Sequence, residues 1–353
     1  MKKIVFLDQN LDAGGAERVM ATIIRSLDPS KFEIHLVIIS KLGDLGHLVP
    51  EHVKIHELGI VHTRNAWLPL RKVLKNINPD IVYSSLSRTT VLSVLSGFLL
   101  KFKNVARYPS MPSVEKKEGK LKGWRYLLMK IFYKKVDMII AQTDEMADEL
   151  QQFYKIDKEK IRVIINPVDT KHIDESVKNA KNPFENGKIN VVASGRIGIE
   201  KGFDVLIESF AKVVEKRSDF HLHIIGRDED GNKEKLEKRI AELRIVDNTT
   251  FHGFQKNPYP FYKFCDLFVL SSRREGLPNV VLECQYLGKP VVATRCIPVI
   301  KRLIDDGKNG FVVDVEDVDG LAEAILKFEQ LQGEKIFRDS IGEFIRVFEE
   351  GDK

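Results

Sequence analysis

Two carboxylates, Glu275 and Glu283, stand eight residues apart in the run SSRREGLPNVVLE from Ser271 to Glu283, across a Gly-Leu-Pro-Asn turn that opens a helix. Such a layout suits a nucleotide sugar. Pro278 is predicted at the first helical position, where its missing N–H costs nothing. The backbone N–H groups of Asn279, Val280 and Val281 are then expected to project from the helix start, where anions bind. Glu275, in the loop just ahead, is placed to accept hydrogen bonds from sugar hydroxyls. Glu283, a turn and a half inside the helix, is a candidate for the ribose. Spacing alone equally allows a solvated loop glutamate followed by a surface helix glutamate.

A second signal precedes it. Lys188–Ala193 reads as a strand, followed by Ser194-Gly195-Arg196, a short loop with Lys201-Gly202, and an amphipathic helix from about Asp204 to Lys216. Arg196 and Lys201 therefore emerge beyond a strand's carboxyl end, where open α/β sheets bind ligands. Arginine offers phosphate a planar fork and lysine a compact charge. Near the start of the chain, Gly14-Gly15 follows a first strand and leads into a helix over Ala16–Leu27, allowing backbone to approach phosphate or substrate closely. No third glycine follows at the dinucleotide spacing, so nothing points to a nicotinamide cofactor. Glu17 is expected to stabilise the positive helix end. His221 and His223 alternate on a predicted strand and read as packing residues, without the clustered ligands a metal needs.

Gly195-Arg196 with Lys201-Gly202, His252-Gly253-Phe254, Asp266–Ser272, Glu275-Gly276-Leu277-Pro278-Asn279, Glu283 and Gly288–Thr294 resemble glycosyltransferase family 4 in order and spacing. Gly14-Gly15-Ala16-Glu17-Arg18 is similar to that family's first glycine loop, and Asn166-Pro167-Val168-Asp169 to its exit from the first domain. The resemblance implies a GT-B fold: α/β, with two Rossmann-like domains whose parallel sheets face a cleft. It also implies retaining transfer of a hexosyl group from a nucleotide-diphosphate sugar, expected to be a UDP-sugar, with no metal and no cofactor. Arg196, Lys201 and Glu275 would carry the chemistry. Gly14, Gly15, Gly195, Gly253, Phe254, Gly276, Leu277, Pro278, Asn279 and Glu283 would line the substrate, with Gln255 also near the base. One departure matters: many relatives carry a histidine after the strand comparable to Asn104–Tyr108, and this chain has Ala106-Arg107-Tyr108-Pro109-Ser110 there. Arg107, Tyr108 or Ser110 is left to occupy that place. Arg302 also stands where many relatives have glutamate.

The elements that must position these residues alternate along the chain as in parallel sheets covered on both faces. Predicted strands are Ile4–Leu7, Glu33–Ile39, Ile81–Ser84, Asn104–Tyr108, Val136–Ala141 and Arg162–Ile165. A second series is Ile189–Ala193, His221–Ile225, Thr250–His252, Leu267–Leu270, Val291–Ala293 and Phe311–Val313. At 353 residues roughly two domains are expected. We divide the chain into an acceptor-side domain over 1–168, a nucleotide-sugar domain over 169–335, and a helical tail over 336–353. The tail's helical pattern runs from about Glu334 to Glu350, with Ile336, Phe337, Ile341, Phe344, Ile345 and Phe348 near one stripe. The resemblance implies that it crosses back to the first domain.

A composition of 43% hydrophobic and 30% charged residues is that of an ordinary globular protein and argues against disorder. Three cysteines without paired spacing fit reduced thiols and a cytoplasmic setting, and MKKIVFLD holds too short an apolar run for a signal peptide. The net charge of +5 hides an asymmetry, since residues 1–166 carry 27 Lys and Arg against 18 Asp and Glu. Between Lys101 and Lys135 there are 11 basic residues and two acids, Glu115 and Glu118, interleaved with Trp124, Tyr126, Leu127, Met129, Phe132 and Tyr133 and preceded by Phe98 and Leu99. That pattern suits peripheral contact with the inner face of an anionic membrane; a solvated cationic face over core aromatics is the plainer alternative. Nucleic acid is not expected, because no recognition motif accompanies the charge. The expected acceptor is a glycan, lipid-linked, in cell-surface polysaccharide assembly. The alternatives are a catalytically inactive sugar-nucleotide-binding or membrane-scaffold subunit, or another GT-B activity such as an epimerase or phosphorylase.

Overall fold

The structure, a computed structural model, describes all residues except 13, 118, 120–122, 185–186, 229–230, 337–339 and 351–353, and of 124 and 125 only the backbone. The chain divides into two units, Met1–Val168 with Arg338–Lys353, and Asp169–Phe337.

In the first unit, seven strands form one parallel sheet: β1 (Lys2–Asp8), β2 (Phe32–Ile38), β3 (Lys54–Glu57), β4 (Ile81–Ser84), β5 (Lys103–Arg107), β6 (Met138–Ala141) and β7 (Ile161–Val163), in the order β3-β2-β1-β4-β5-β6-β7. Side chains alternate between two cores. Ile4, Phe6, Ile81, Tyr83 and Val105 point into one, and Val5, Leu7 and Val82 into the other, which is why the strands read as unbroken apolar runs. The strand β3 was not foreseen. Its sequence, Lys-Ile-His-Glu, is mostly exposed at the sheet edge, where neither apolar alternation nor burial is required of it.

The second unit holds a six-stranded parallel sheet: β8 (Ile189–Ser194), β9 (Phe220–Ile225), β10 (Thr249–Gly253), β11 (Leu267–Leu270), β12 (Val291–Thr294) and β13 (Gly310–Val313), in the order β10-β9-β8-β11-β12-β13. All six lie where apolar runs placed them. In both sheets chain order reverses beside the first strand, between β1 and β4 and between β8 and β11. Open α/β sheets bind ligands outside the carboxyl ends of their strands at such a reversal.

The tail corrects the expectation in part. Residues 334–336 are not helical, Phe337 lies outside the described residues, and the helix spans Ile341–Glu349. Its Phe344, Val347 and Phe348 complete the first unit's core, with the Phe348 ring 5.8 Å from Phe6 and 5.9 Å from Tyr83. The basic stretch also divides. Tyr133 and Met129 belong to the core, whereas Phe98, Leu99 and Leu127 are exposed; Glu118 and the Trp124 side chain fall outside the described residues. Among the described residues no helix is long and apolar enough to cross a membrane.

Candidate functional site

The chemistry-bearing residues of the second unit gather at the β8/β11 reversal. After β8 the chain turns through Gly195 and a short 3-10 turn, Ile199–Lys201, into the helix Phe203–Lys216. Gly202 joins them with φ +61°, and a Cβ there would meet the Ser271 carbonyl oxygen at 2.2 Å, so only glycine both adopts the left-handed conformation and lets the loop after β8 touch the end of β11. Ser271 returns the contact, its hydroxyl donating to the Lys201 carbonyl at 2.9 Å.

Lys201 Nζ lies 2.7 Å from Glu275 Oε1, both side chains mostly shielded, and the same oxygen accepts from the Ser272 hydroxyl at 2.7 Å. Two residues foreseen as separate binders are thus one ion pair. Arg196 is more exposed and forks onto Glu200 Oε1 through Nε at 3.1 Å and Nη2 at 2.6 Å. Cys296, just beyond β12, sits within reach of the pair's charges. Burial and then the Glu275 charge push its thiol up to about 12, so it stays protonated and unreactive near neutrality.

The helix bearing Glu283 spans Asn279–Tyr286. Pro278 is its extended N-cap, not its first helical residue, and the Val281 N–H donates to the Pro278 carbonyl at 3.0 Å. The helix therefore begins one residue later than foreseen, and its first turn closes on the Pro278 carbonyl, which takes the Val281 amide out of the three expected to project. Gly276 and Leu277 lead from Glu275 into this start, Leu277 buried. Glu283 is itself buried on the helix, rather than presented on its surface.

At the sheet's other side, Gly253 ends β10 with φ +66° after a register shift, and its carbonyl accepts from the Gly226 N–H. The Arg227 guanidinium lies 4.6 Å from the centre of the exposed Phe254 ring, and Gln255 Nε2 donates to the His252 carbonyl. The Ile197 N–H donates to the Arg227 carbonyl, so the loops after β8, β9 and β10 form one rim.

Arg273, which no sequence signal announced, ties the end of β11 to the loop after β8 and to Glu316. It donates to both Asp204 oxygens at 2.8 and 2.7 Å, to Glu316 and to the Ile199 carbonyl. Its two carboxylate partners lie 69 and 43 residues away, so no local pattern announces it. The histidines form a hydrogen-bonded column: His223 reaches His252 at 2.9 Å and Asn190 at 3.0 Å, His221 reaches Thr250 at 2.9 Å, and the His221 and His223 rings stack at 4.6 Å. Burial first, then the neighbouring His221 and His252, lowers His223 to about 3. Among the described residues no three His, Cys, Asp or Glu side chains group as metal ligands.

In the first unit Gly14 caps the helix Gly15–Ser26. A Cβ at Gly14 would meet Glu17 Oε2 at 2.1 Å, so the glycine lets the Glu17 carboxylate fold over the positive helix end, as foreseen. Burial, then Asp12, raises the Glu17 pKa. Of the three residues left to replace the histidine, Tyr108 is engaged elsewhere, its hydroxyl bonded to Glu115 at 2.6 Å and to the Tyr154 hydroxyl at 2.8 Å. Ser110 lies past the strand end. Arg107 ends β5, buried, with Nη2 donating to Asn166 Oδ1 at 2.6 Å. Arg302 is exposed on the short helix Ile300–Leu303.

Two parallel Rossmann-like sheets, the second with cations, a carboxylate and a helix start at its strand reversal, define the α/β class of GT-B proteins. Over 93% of the chain the fold matches that of an Anabaena protein, HepE, solved in complex with UDP and glucose, with a TM-score of 0.75 and 21% identity across 89% of that chain. The family model described as "Glycosyl transferases group 1" matches residues 174–346, and that described as "Glycosyltransferase Family 4" matches residues 13–172. The chain belongs to glycosyltransferase family 4. An uncharacterised glycosyltransferase of Methanocaldococcus jannaschii is 32% identical over 64% of the chain, which spans 58% of that protein's length. The Campylobacter jejuni protein N-acetylgalactosamine-N,N'-diacetylbacillosaminyl-diphospho-undecaprenol 4-alpha-N-acetylgalactosaminyltransferase is 25% identical, with 92% of this chain and 89% of that one aligned.

Proposed function

We propose that the protein transfers a hexosyl group from a UDP-sugar to a hydroxyl of a lipid-linked glycan in cell-surface polysaccharide assembly, with retention at the anomeric carbon. The observation that carries this reading is the Lys201–Glu275 pair at the β8/β11 reversal, beside Arg196 and the start of the helix Asn279–Tyr286. As the nucleotide diphosphate departs, negative charge grows on its bridging oxygen. Lys201, Arg196 and the positive start of that helix are fixed groups for that charge, which in a water-poor site stabilise it more than bulk water does. Glu275 orients donor hydroxyls and Glu283 the ribose. Neither acts as a nucleophile, because in same-face transfer the leaving phosphate accepts the acceptor's proton. In this reading the diphosphate is held by these groups and not by a metal. The Phe254 ring with Arg227 offers a flat, cationic border for the base. A diphospho-undecaprenol substrate is named for the Campylobacter relative, and UDP and glucose for the Anabaena protein; both support this choice of substrates.

Incubating the chain with labelled UDP-glucose, UDP-galactose and their N-acetyl analogues plus undecaprenyl-diphosphate-linked sugars tests it. Incorporation with the donor's anomeric configuration, read by NMR, is expected. Nucleotide binding without transfer to any acceptor would instead favour a binding or scaffold subunit.

A further inference from the structure

Buried polar groups without partners are scarce in folded proteins because each costs about 1–3 kcal/mol. Here they concentrate in one place. Asp8 Oδ2, Tyr83 OH, Ser85 Oγ and both Nε and Nη1 of Arg107 are buried without a hydrogen-bond partner among the described residues. The sheet explains the concentration. Leu7 pairs with Ser84 and Ser84 with Ala106, so one step further along the register Asp8, Ser85 and Arg107 form a row across β1, β4 and β5. By the period of two, they share the face of Phe6, Tyr83 and Val105. The row crosses the β1/β4 reversal at the carboxyl edge, the counterpart in the first sheet of the position Lys201 and Glu275 hold in the second.

We propose that Arg107 is the residue through which the first unit holds a hydroxyl of its carbohydrate substrate, with Ser85 and Tyr83 completing the hydrogen-bond set; this rests on the glycosyltransferase reading above. One guanidinium nitrogen is fixed by Asn166, whose amide nitrogen donates to Gln142 Oε1 at 3.0 Å, while Gln142 Nε2 holds the Tyr108 carbonyl at 2.9 Å. The arginine is therefore anchored at one end with two nitrogens to spare. The charge balance selects a neutral ligand over an anion. Glu17 attracts Arg107 and repels Asp8, so a single cation faces two carboxyl groups. Donors and acceptors are mixed, as a polyol requires. Asp8 also anchors its own loop, with the Gln9 N–H donating to Oδ1 at 2.6 Å and the Asn10 and Leu11 amides facing it, which makes Arg107 and Ser85 the cleaner probes.

The test uses the full chain with UDP and a panel of octyl glycosides of glucose, galactose and their N-acetyl analogues, read by saturation-transfer NMR and calorimetry. At least one glycoside should bind the wild type. Arg107→Met should weaken it at least ten-fold and Ser85→Ala about three- to ten-fold, as expected for hydrogen bonds to a charged and a neutral group, while UDP affinity stays within two-fold in each variant. Arg107→Lys, which keeps the charge and loses the fork, should fall between wild type and Arg107→Met, and guards against misfolding of the latter. Glycoside affinity unchanged in Arg107→Met and Ser85→Ala overturns the proposal, as does displacement of the glycoside by inorganic pyrophosphate at equal affinity. A wild type that binds UDP but no glycoside overturns the subsite alone. One that binds no nucleotide overturns the functional reading first, and the subsite with it.

Discussion

Lys201 and Glu275 neutralise each other at 2.7 Å, so we expect a phosphate that engages the ammonium to release the carboxylate for sugar hydroxyls. Lys201→Ala should lower turnover by about 10²- to 10³-fold, the usual effect of removing one preorganised donor, with UDP-sugar transfer rates as the measurement. Arg196→Ala should cost less, because its guanidinium is exposed and already shared with Glu200; equal rates for Lys201→Ala and wild type would remove Lys201 from the site. Both cations and Glu275 were legible because turn-forming glycines and a proline frame them. The Lys201–Glu275 pairing was not, since it depends on the loops after β8 and β11 meeting 74 residues apart. Asp8 makes stability depend on pH. Burial, then Glu17, raises its carboxyl to about 7, above the unfolded value of about 3.9. The folded state thus binds a proton more tightly, and that contribution is full below pH 4 and lost as pH rises through 7. Asp8→Asn should remove the loss, raising stability at pH 8 relative to wild type by up to about 4 kcal/mol and leaving pH 4 little changed. Parallel curves of unfolding free energy against pH for the two proteins would contradict it.

Among the elements, the histidine column of β9 and β10 works in the opposite direction. His223 falls to about 3, and His221 and His252 are also lowered. Stability that these neutral rings contribute above pH 6.5 is lost as pH falls toward 3. His223→Asn should flatten the acid slope of urea-derived unfolding free energy by up to about one proton, ~1.4 kcal/mol per pH unit; an unchanged slope would place the acid sensitivity elsewhere. Alternation on a strand put His221 and His223 on one face correctly, but their bonding to the next strand required its register. The tail helix makes a packing prediction. Phe348 is fully buried between Phe6 and Tyr83, so Phe348→Ala should cost about 3–5 kcal/mol in urea unfolding, and a loss below 1 kcal/mol would show the helix to be peripheral. The helical period of its apolar stripe was readable from Ile341 onward. Extension back to Glu334 failed because the Ile336 amide bonds to the Gln285 carbonyl, committing the chain to an extended path.

For the whole molecule, the two-sheet plan could be read from the sequence because buried parallel strands leave unbroken apolar runs; β3 escaped because an edge strand need not. Basic residues dominate 1–166, and Phe98 and Leu99 are exposed beside them. Arg71 donates to the carbonyls of Ser96 and Phe98, fixing the loop that carries both. We therefore expect co-sedimentation with vesicles containing anionic lipid, weakened by Phe98→Ser with Leu99→Ser and lost near 1 M salt, where screening falls to about 3 Å. Equal binding to neutral vesicles would contradict an electrostatic contact. We infer that the second unit binds the diphosphate of a nucleotide sugar at the β8/β11 reversal, and calorimetric titration of UDP into the full chain and its Lys201→Ala variant is the decisive experiment. Saturable one-to-one uptake by the wild type is expected, weakened at least ten-fold by the substitution. Equal affinity in both proteins, or no uptake by the wild type of UDP or of any UDP-sugar, would contradict it.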